Sequence, residues 1–134
     1  EGNYIGYGGV TATTFTGWVA DPAPYLARAD IFVLPSLQEG SGSLALLEAL
    51  QAGLAIVASN VDGIPEDVVN GESALLVAPG DADALGRALA RALTDTALRD
   101  GLRRRARETF DRRFTAEAFS AALGRLYAEL GAKR

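Results

Sequence analysis

Three unbroken apolar runs, Ile31-Phe32-Val33-Leu34, Ala55-Ile56-Val57-Ala58 and Ala74-Leu75-Leu76-Val77, limit what this chain can fold into. Four apolar residues without polar alternation suit a strand covered on both faces, which is the setting of a parallel sheet. Parallel neighbours cannot be joined by a tight turn; they need a crossover, usually a helix. The sequence offers one between the first two runs. Leu44 to Ala52 reads as a helix that is apolar almost all round, so it is expected to lie buried against the sheet. Pro65 to Val69 reads as a short helix after Asp62-Gly63, between the second and third runs.

The flanking sequence extends this α/β pattern. Thr13-Thr14-Phe15-Thr16-Gly17 is β-branched and aromatic and predicts a short strand. Asp21-Pro22-Ala23-Pro24 is a turn leading into a short helix over Tyr25 to Ala29. Pro79-Gly80-Asp81 is a second turn, with Asp81 as N-cap of a helix carrying Leu85, Leu89 and Leu93 at spacing four. A further helix is predicted from Thr96 to Phe110. A last one, capped by Thr115, runs from Ala116 to Leu130, with Phe119, Leu123, Leu126 and Leu130 on one face. The fold class that follows is α/β: a three-layer, Rossmann-like parallel sheet flanked by helices, with a helical C-terminal tail. Residues 1–12 are expected to be irregular, 13–80 the α/β core and 81–134 helical, all within a single domain, 1–134. Gly6-Tyr7-Gly8-Gly9 lacks the third glycine of a dinucleotide fingerprint and has no strand before it, so it reads as a loop or a stray edge segment.

Composition narrows the chemistry. A chain of 134 residues with 49% hydrophobic and 22% charged residues can bury one core. It has no cysteine and no histidine, which removes disulfides, thiolate catalysis, Ser-His triads and most zinc sites. No apolar run reaches the roughly 20 residues needed to span a bilayer. The opening EGNYIGYGGV is neither basic nor apolar, so no leader is expected, and a start at Glu1 without Met suggests a processed or excised fragment. Residues 91–113 hold eight arginines against four acids, so the chain's net −4 divides into a local surplus of four positive charges and an acidic remainder. An acidic body argues against nucleic acid as a partner, and arginines interleaved with acids at helical spacing read as a solvated helix face.

In a parallel sheet, ligands bind beyond the carboxyl ends of the strands. Three segments fall there: Trp18-Val19, the loop after Leu34, and Ser59 to Gly63. The loop is the most informative. Gly40-Ser41-Gly42-Ser43 is small, rich in backbone N–H groups and followed by a helix, the physical recipe for an anion site. It is not a Walker loop, since no Gly-Lys-Ser/Thr follows. The same pattern also describes a flexible loop before a helix capped by Ser43. Glu48 sits among leucines and alanines, so its carboxylate must find donors or reach solvent at a cleft. There it suits a ribose diol; the alternative is a glutamate on one exposed stripe of the helix. Glu39, before the loop, suits a general base or a contact to sugar hydroxyls, or it is a solvated loop carboxylate. Trp18 offers a flat wall for a nucleobase, or core packing. Asp62 and Glu66 read as a turn and a helix start rather than a metal site.

The string ADIFVLPSLQEG, LLEAL-AG-AIVAS, VDGIPE, NGE-ALLV-PGD resembles the donor-binding half of the family 4, group 1 glycosyltransferases, which have the GT-B fold. Phe15-Thr16-Gly17-Trp18-Val19 and the tail from Asp81 also fit, so the resemblance covers about residues 13 to 130. It implies that Glu39 contacts the donor sugar as the catalytic residue and that Glu48 holds the ribose hydroxyls. The loop Gly40 to Ser43, with Leu44, would bind the diphosphate, chiefly through the amides of Gly42, Ser43 and Leu44. Trp18 and Val19 would border the base. The implied reaction is retaining glycosyl transfer from a nucleotide-sugar, with no cofactor and no obligatory metal. A cytoplasmic location follows, with at most peripheral contact at the inner membrane face.

Two departures stand out. The family's glutamates usually have seven residues between them, and here eight intervene, Gly40 to Leu47. The acceptor-binding N-terminal half and the basic residues that open the donor half have no counterpart in this sequence. The isolated chain is therefore expected to be inactive. The alternative is a non-catalytic binding or assembly module that needs a partner chain or self-associates through an exposed sheet edge.

Overall fold

The strand Ala55–Ser59 is buried along its whole length, and the other elements are laid around it. The structure is a computed structural model that describes residues 13–131. In chain order its strands are β1 (Ile31–Leu34), β2 (Ala55–Ser59) and β3 (Leu75–Val77). Its helices are α1 (Ala23–Leu26), α2 (Leu44–Ala52), α3 (Ile64–Asp67), α4 (Ala82–Thr94), α5 (Thr96–Arg113) and α6 (Ala116–Gly131). The sheet order is β1-β2-β3, all parallel, with Ile31 opposite Ala55 and Val57 opposite Leu75. The three apolar runs therefore form the expected parallel sheet.

The two-residue period of β2 divides the core. Ile56 and Ala58 pack with Leu46, Ala49 and Leu50 of α2. Ala55 and Val57 pack on the opposite face with Ala88 and Ala92 of α4. Helix α5 reaches both layers, placing Ala106 in the first cluster and Leu102 in the second. At roughly 25 cal/mol per Å2 of apolar surface, this two-sided burial is the main term favouring the fold.

The caps match the sequence pattern. Ser43 Oγ accepts from the Leu46 amide (3.4 Å), Asp81 Oδ1 from Ala84 (2.8 Å), Asp95 Oδ1 from Leu98 (2.9 Å) and Thr115 Oγ1 from Ala118 (3.1 Å). Helix α2 stops at Gly53, whose left-handed φ of 66° suits glycine and whose amide returns to Leu50 O.

The arginines of α5 do more than face solvent. Arg99 donates to Ala92 O and Leu93 O at the end of α4. Arg103 donates to Gly53 O, and Arg107 to Gln51 O, at the end of α2. Arg113 donates to Glu66 O and Asp67 O at the end of α3. Each guanidinium meets orphan carbonyls at the negative end of a helix.

Three sequence-based expectations change. Thr13 to Gly17 is exposed and is not assigned to a strand; among the described residues the sheet is β1-β2-β3, and this run is no part of it. Helix α1 begins at Ala23 rather than Tyr25, because Asp21 Oδ1 accepts from the Ala23 amide and Pro24 fits the first turn. Helix α2 is not buried all round: Leu44, Ala45, Glu48, Gln51 and Ala52 are exposed, and the last three face α1 across a cleft. The expectation of an irregular segment over residues 1–12 lies outside the described residues. Among the described residues, no helix is long and apolar enough to cross a membrane.

Candidate functional site

The carboxyl end of β1 leads through Pro35 and Ser36 into the loop that carries Glu39. Two contacts fix that glutamate. The Ser36 hydroxyl donates to Glu39 Oε1. The Glu39 amide donates to Asp62 Oδ2 at 2.8 Å, and the next amide, Gly40, donates to the same oxygen at 3.1 Å. Asp62 lies in the turn after β2, at the same end of the sheet, with φ of 48°.

Gly63 completes the clamp. Its amide donates to Gly40 O at 3.3 Å. A Cβ there would lie 2.5 Å from Ser41 O and 3.0 Å from Gly42 N, so only glycine lets the loop sit this close. On the other side of the loop, a Cβ on Gly42 would stand 3.5 Å from Asp67 Oδ2. Burial raises the Asp67 carboxyl above its ordinary range; the Arg113 charge pulls it back, and Glu66 adds a smaller upward push.

Beyond Gly40 the amides are uncommitted. Among the described residues, the N–H groups of Ser41, Gly42, Ser43, Leu44 and Ala45 have no acceptor. They form a continuous run at the N-terminus of α2, at the positive end of its dipole. This gives the small loop the donors of an anion site. Ser43 is buried as the cap, whereas Leu44 is exposed at the helix entrance.

Glu48 lies one turn further on, at the surface. With Gln51 and Ala52 it forms one wall of a cleft of about 550 Å3. The other wall is Asp21, Pro22 and Ala23 with Leu26 and Ala27. Glu48 emerges on the exposed stripe of α2, and that stripe faces a cleft. Val19 is half-buried just before this wall, whereas Trp18 is 90% exposed and is not among the residues lining this cleft. A smaller hollow of about 200 Å3 opens at the strand ends toward α4, beside Pro35, Ser59 and Asp81; none of the predicted site residues lines it.

The turn at Asp62 and Gly63 holds Glu39 and the start of the loop, while Glu48, on α2, lines a cleft to which residues 39–44 do not contribute. Asp62, Ser36 and the wall from Asp21 to Ala23 were not singled out as site residues from sequence. The available signal for Asp62 was its place, in an Asp-Gly turn beyond the carboxyl end of a predicted parallel strand. The arrangement can bind an anion at the amides and hydroxyl groups at the carboxylates. Neither cysteine nor histidine is available to it.

A family model described as "Glycosyl transferases group 1" matches residues 4–95. Among curated proteins, the chain is similar to a lipopolysaccharide core biosynthesis glycosyltransferase, LpsE, of Rhizobium meliloti: 35% identical over 114 residues, covering 85% of this chain and 33% of the relative. Among solved structures it is similar to sucrose-phosphate synthase from Thermosynechococcus elongatus, with 36% identity and a TM-score of 0.72 over 84% of this chain and 28% of the other. It is also similar to the C-terminal domain of a glycosyl transferase group 1 family protein, LpcC, from Francisella tularensis. That match has 29% identity and a TM-score of 0.66, over 75% of this chain and 52% of the other. The chain spans about a third of the length of the curated relatives it matches.

Proposed function

This chain belongs to the group 1 glycosyltransferases and corresponds to the C-terminal half of their GT-B fold, and on that premise we propose that residues 39–48 form the donor half-site of a retaining transferase. The observation that carries the reading is the run of five uncommitted amides, Ser41 to Ala45, between two carboxylates. The amides receive the diphosphate of a nucleotide-sugar and stabilise the charge that collects on it as the sugar leaves. Glu39, held by Ser36 and Asp62, contacts the sugar. Glu48, at the cleft beside α1, accepts from the ribose hydroxyls. Val19, next to that wall, and Trp18 before it border the base.

The chemistry is carried by positioning and by the substrate, with no metal and no cofactor required. Acceptor recognition belongs to the portion of the relatives that this chain does not span. The named relatives build different products, so the acceptor is left as a carbohydrate or carbohydrate-lipid hydroxyl. The setting is cytoplasmic, where nucleotide-sugars are the donors, with at most peripheral contact at the membrane.

Calorimetric titration tests the reading. Uridine, guanosine and adenosine diphosphates and their sugar conjugates are titrated into the 134-residue chain with chelator present. At least one pair is expected to bind, and Glu48→Ala to weaken it about tenfold or more, the scale of a lost hydrogen bond to a charged group. No sugar transfer is expected from the chain alone; measurable turnover would contradict the half-site reading.

A second reading is favoured by one observation. The outer edge of β1 has no partner strand among the described residues, so the domain is suited to join a further sheet segment or a partner. Sedimentation of the purified chain tests it, association with rising concentration being expected.

A further inference from the structure

We propose that Asp62 is a positioning residue, which holds the backbone at Glu39 and Gly40 and so sets where Glu39 and the first free amide of the loop stand relative to the donor. The proposal rests on the donor reading of Glu39 given above; the clamp itself rests on geometry alone.

Three features carry it. First, the two amides converge on one oxygen, Asp62 Oδ2, at 2.8 and 3.1 Å, across 23 and 22 residues of chain. A charged acceptor shared by two consecutive amides fixes the orientation of the peptide between them. Second, the Asp62 backbone is held in the left-handed region, φ 48°, which an aspartate tolerates and most side chains do not. Third, the contact is continued by Gly63, whose amide reaches Gly40 O and whose missing Cβ leaves room for Ser41. The turn after β2 is therefore a template for the loop after β1.

The clamp divides the amides of the loop. Those of Glu39 and Gly40 are spent on Asp62 and are not open to a phosphate oxygen. Those from Ser41 to Ala45 remain. The anion set therefore begins at Ser41, after the clamp. The stretch from Gly40 to Ser43 is thus held at its start by Asp62 and at its end by the Ser43 cap. Ser36 adds a second hold, on the Glu39 side chain rather than its backbone.

Because both bonds use a single oxygen, an amide side chain can replace the carboxylate. Asp62→Asn keeps an acceptor of the same shape, and Asp62→Ala removes it. Amide exchange followed by NMR on the full chain gives the first readout. In the wild type the Glu39 and Gly40 amides are expected to exchange slowly although exposed, and Ser41 to exchange quickly. In Asp62→Ala the first two are expected to exchange about tenfold faster, with the amides of β2 unchanged, and Asp62→Asn to restore most of the protection. The wild-type comparison needs no variant, so it decides the clamp even if Asp62→Ala does not fold. Unprotected Glu39 and Gly40 amides in the wild type would overturn the proposal, as would equal exchange in wild type and Asp62→Ala.

The second readout separates positioning from bulk stability. Affinity is measured for uridine diphosphate and for uridine diphosphate glucose, or for the guanosine pair where that is the pair bound. Asp62→Ala is expected to weaken the sugar conjugate several-fold more than the diphosphate, and Asp62→Asn to recover it. Equal losses on both ligands would reduce Asp62 to a structural role and overturn the assignment. Failure of the wild type to bind any of these would defeat the donor reading, while the exchange rates would still decide the clamp.

Discussion

The amides from Ser41 to Ala45 are left without acceptors, and single residues around them decide what they can hold. Gly63 is the most constrained of these. Gly63→Ala places a Cβ against the backbone of Ser41 and Gly42, and it is expected to cost about 1–3 kcal/mol in urea unfolding while disturbing the loop. An unchanged midpoint would mean that the loop does not pack on the turn. Asp67, beside Gly42, makes the site's stability depend on pH. Its carboxyl is raised mainly by burial, so the folded chain binds that proton more tightly than the unfolded chain. The associated stability is complete below the ordinary carboxylate range and is lost as pH rises through the folded value. Asp67→Asn cannot ionise, so it is expected to raise Tm at pH 7 and to give no gain at pH 3. An equal or lower Tm at pH 7 would show that the Arg113 attraction outweighs burial. At this scale the sequence was readable where a residue acts through its neighbours in the chain, as with the caps Ser43, Asp81 and Thr115. It was not readable where the partner is distant: Asp62 looked like an ordinary turn residue, because the amides it accepts from are 22 and 23 residues away.

Among the elements, α2 connects the core to the site. Its inner face is packed on β2, its N-terminus carries the free amides, and its C-terminal carbonyls are held by Arg103 and Arg107 of α5. Loosening the far end should therefore reach the near end. Arg103→Ala, which removes a part-buried bond to Gly53 O, is expected to destabilise by about 1–2 kcal/mol and to speed amide exchange through α2. No change in either would confine the arginine to solvent, as its helical spacing alone suggested. The arginine run illustrates a limit of pattern reading. Spacing gives the face of α5 on which each arginine lies, but not that the ends of α2, α3 and α4 all meet that helix. The three buried runs were legible because apolar residues without alternation have few other uses. Thr13 to Gly17 carries β propensity without being a strand of the described sheet, because propensity reports what suits a strand and does not fix its place in one.

For the molecule as a whole, two surfaces bear on what the chain does. The edge of β1 is open among the described residues, and α6 buries none of its residues, leaving Phe119, Leu123, Leu126 and Leu130 along one exposed face. If α6 takes part in association, Leu126→Glu is expected to lower the sedimentation coefficient at high concentration while leaving Tm nearly unchanged, since Leu126 is half exposed. Unaltered sedimentation would move any association to the β1 edge. The chain matches the group 1 family over residues 4–95 and spans about a third of its curated relatives. A donor half-site of this kind is expected to bind donor without turnover. The most direct test is backbone chemical-shift mapping with nucleoside diphosphates at concentrations suited to a weak half-site, with a Kd in about the millimolar range. The account predicts that the largest shifts fall on the amides of Ser41 to Ala45 and at Glu48, with Glu39 and Gly40 moving less because Asp62 already holds them. Shifts confined to other surfaces, or none at all with every diphosphate tried, would contradict it.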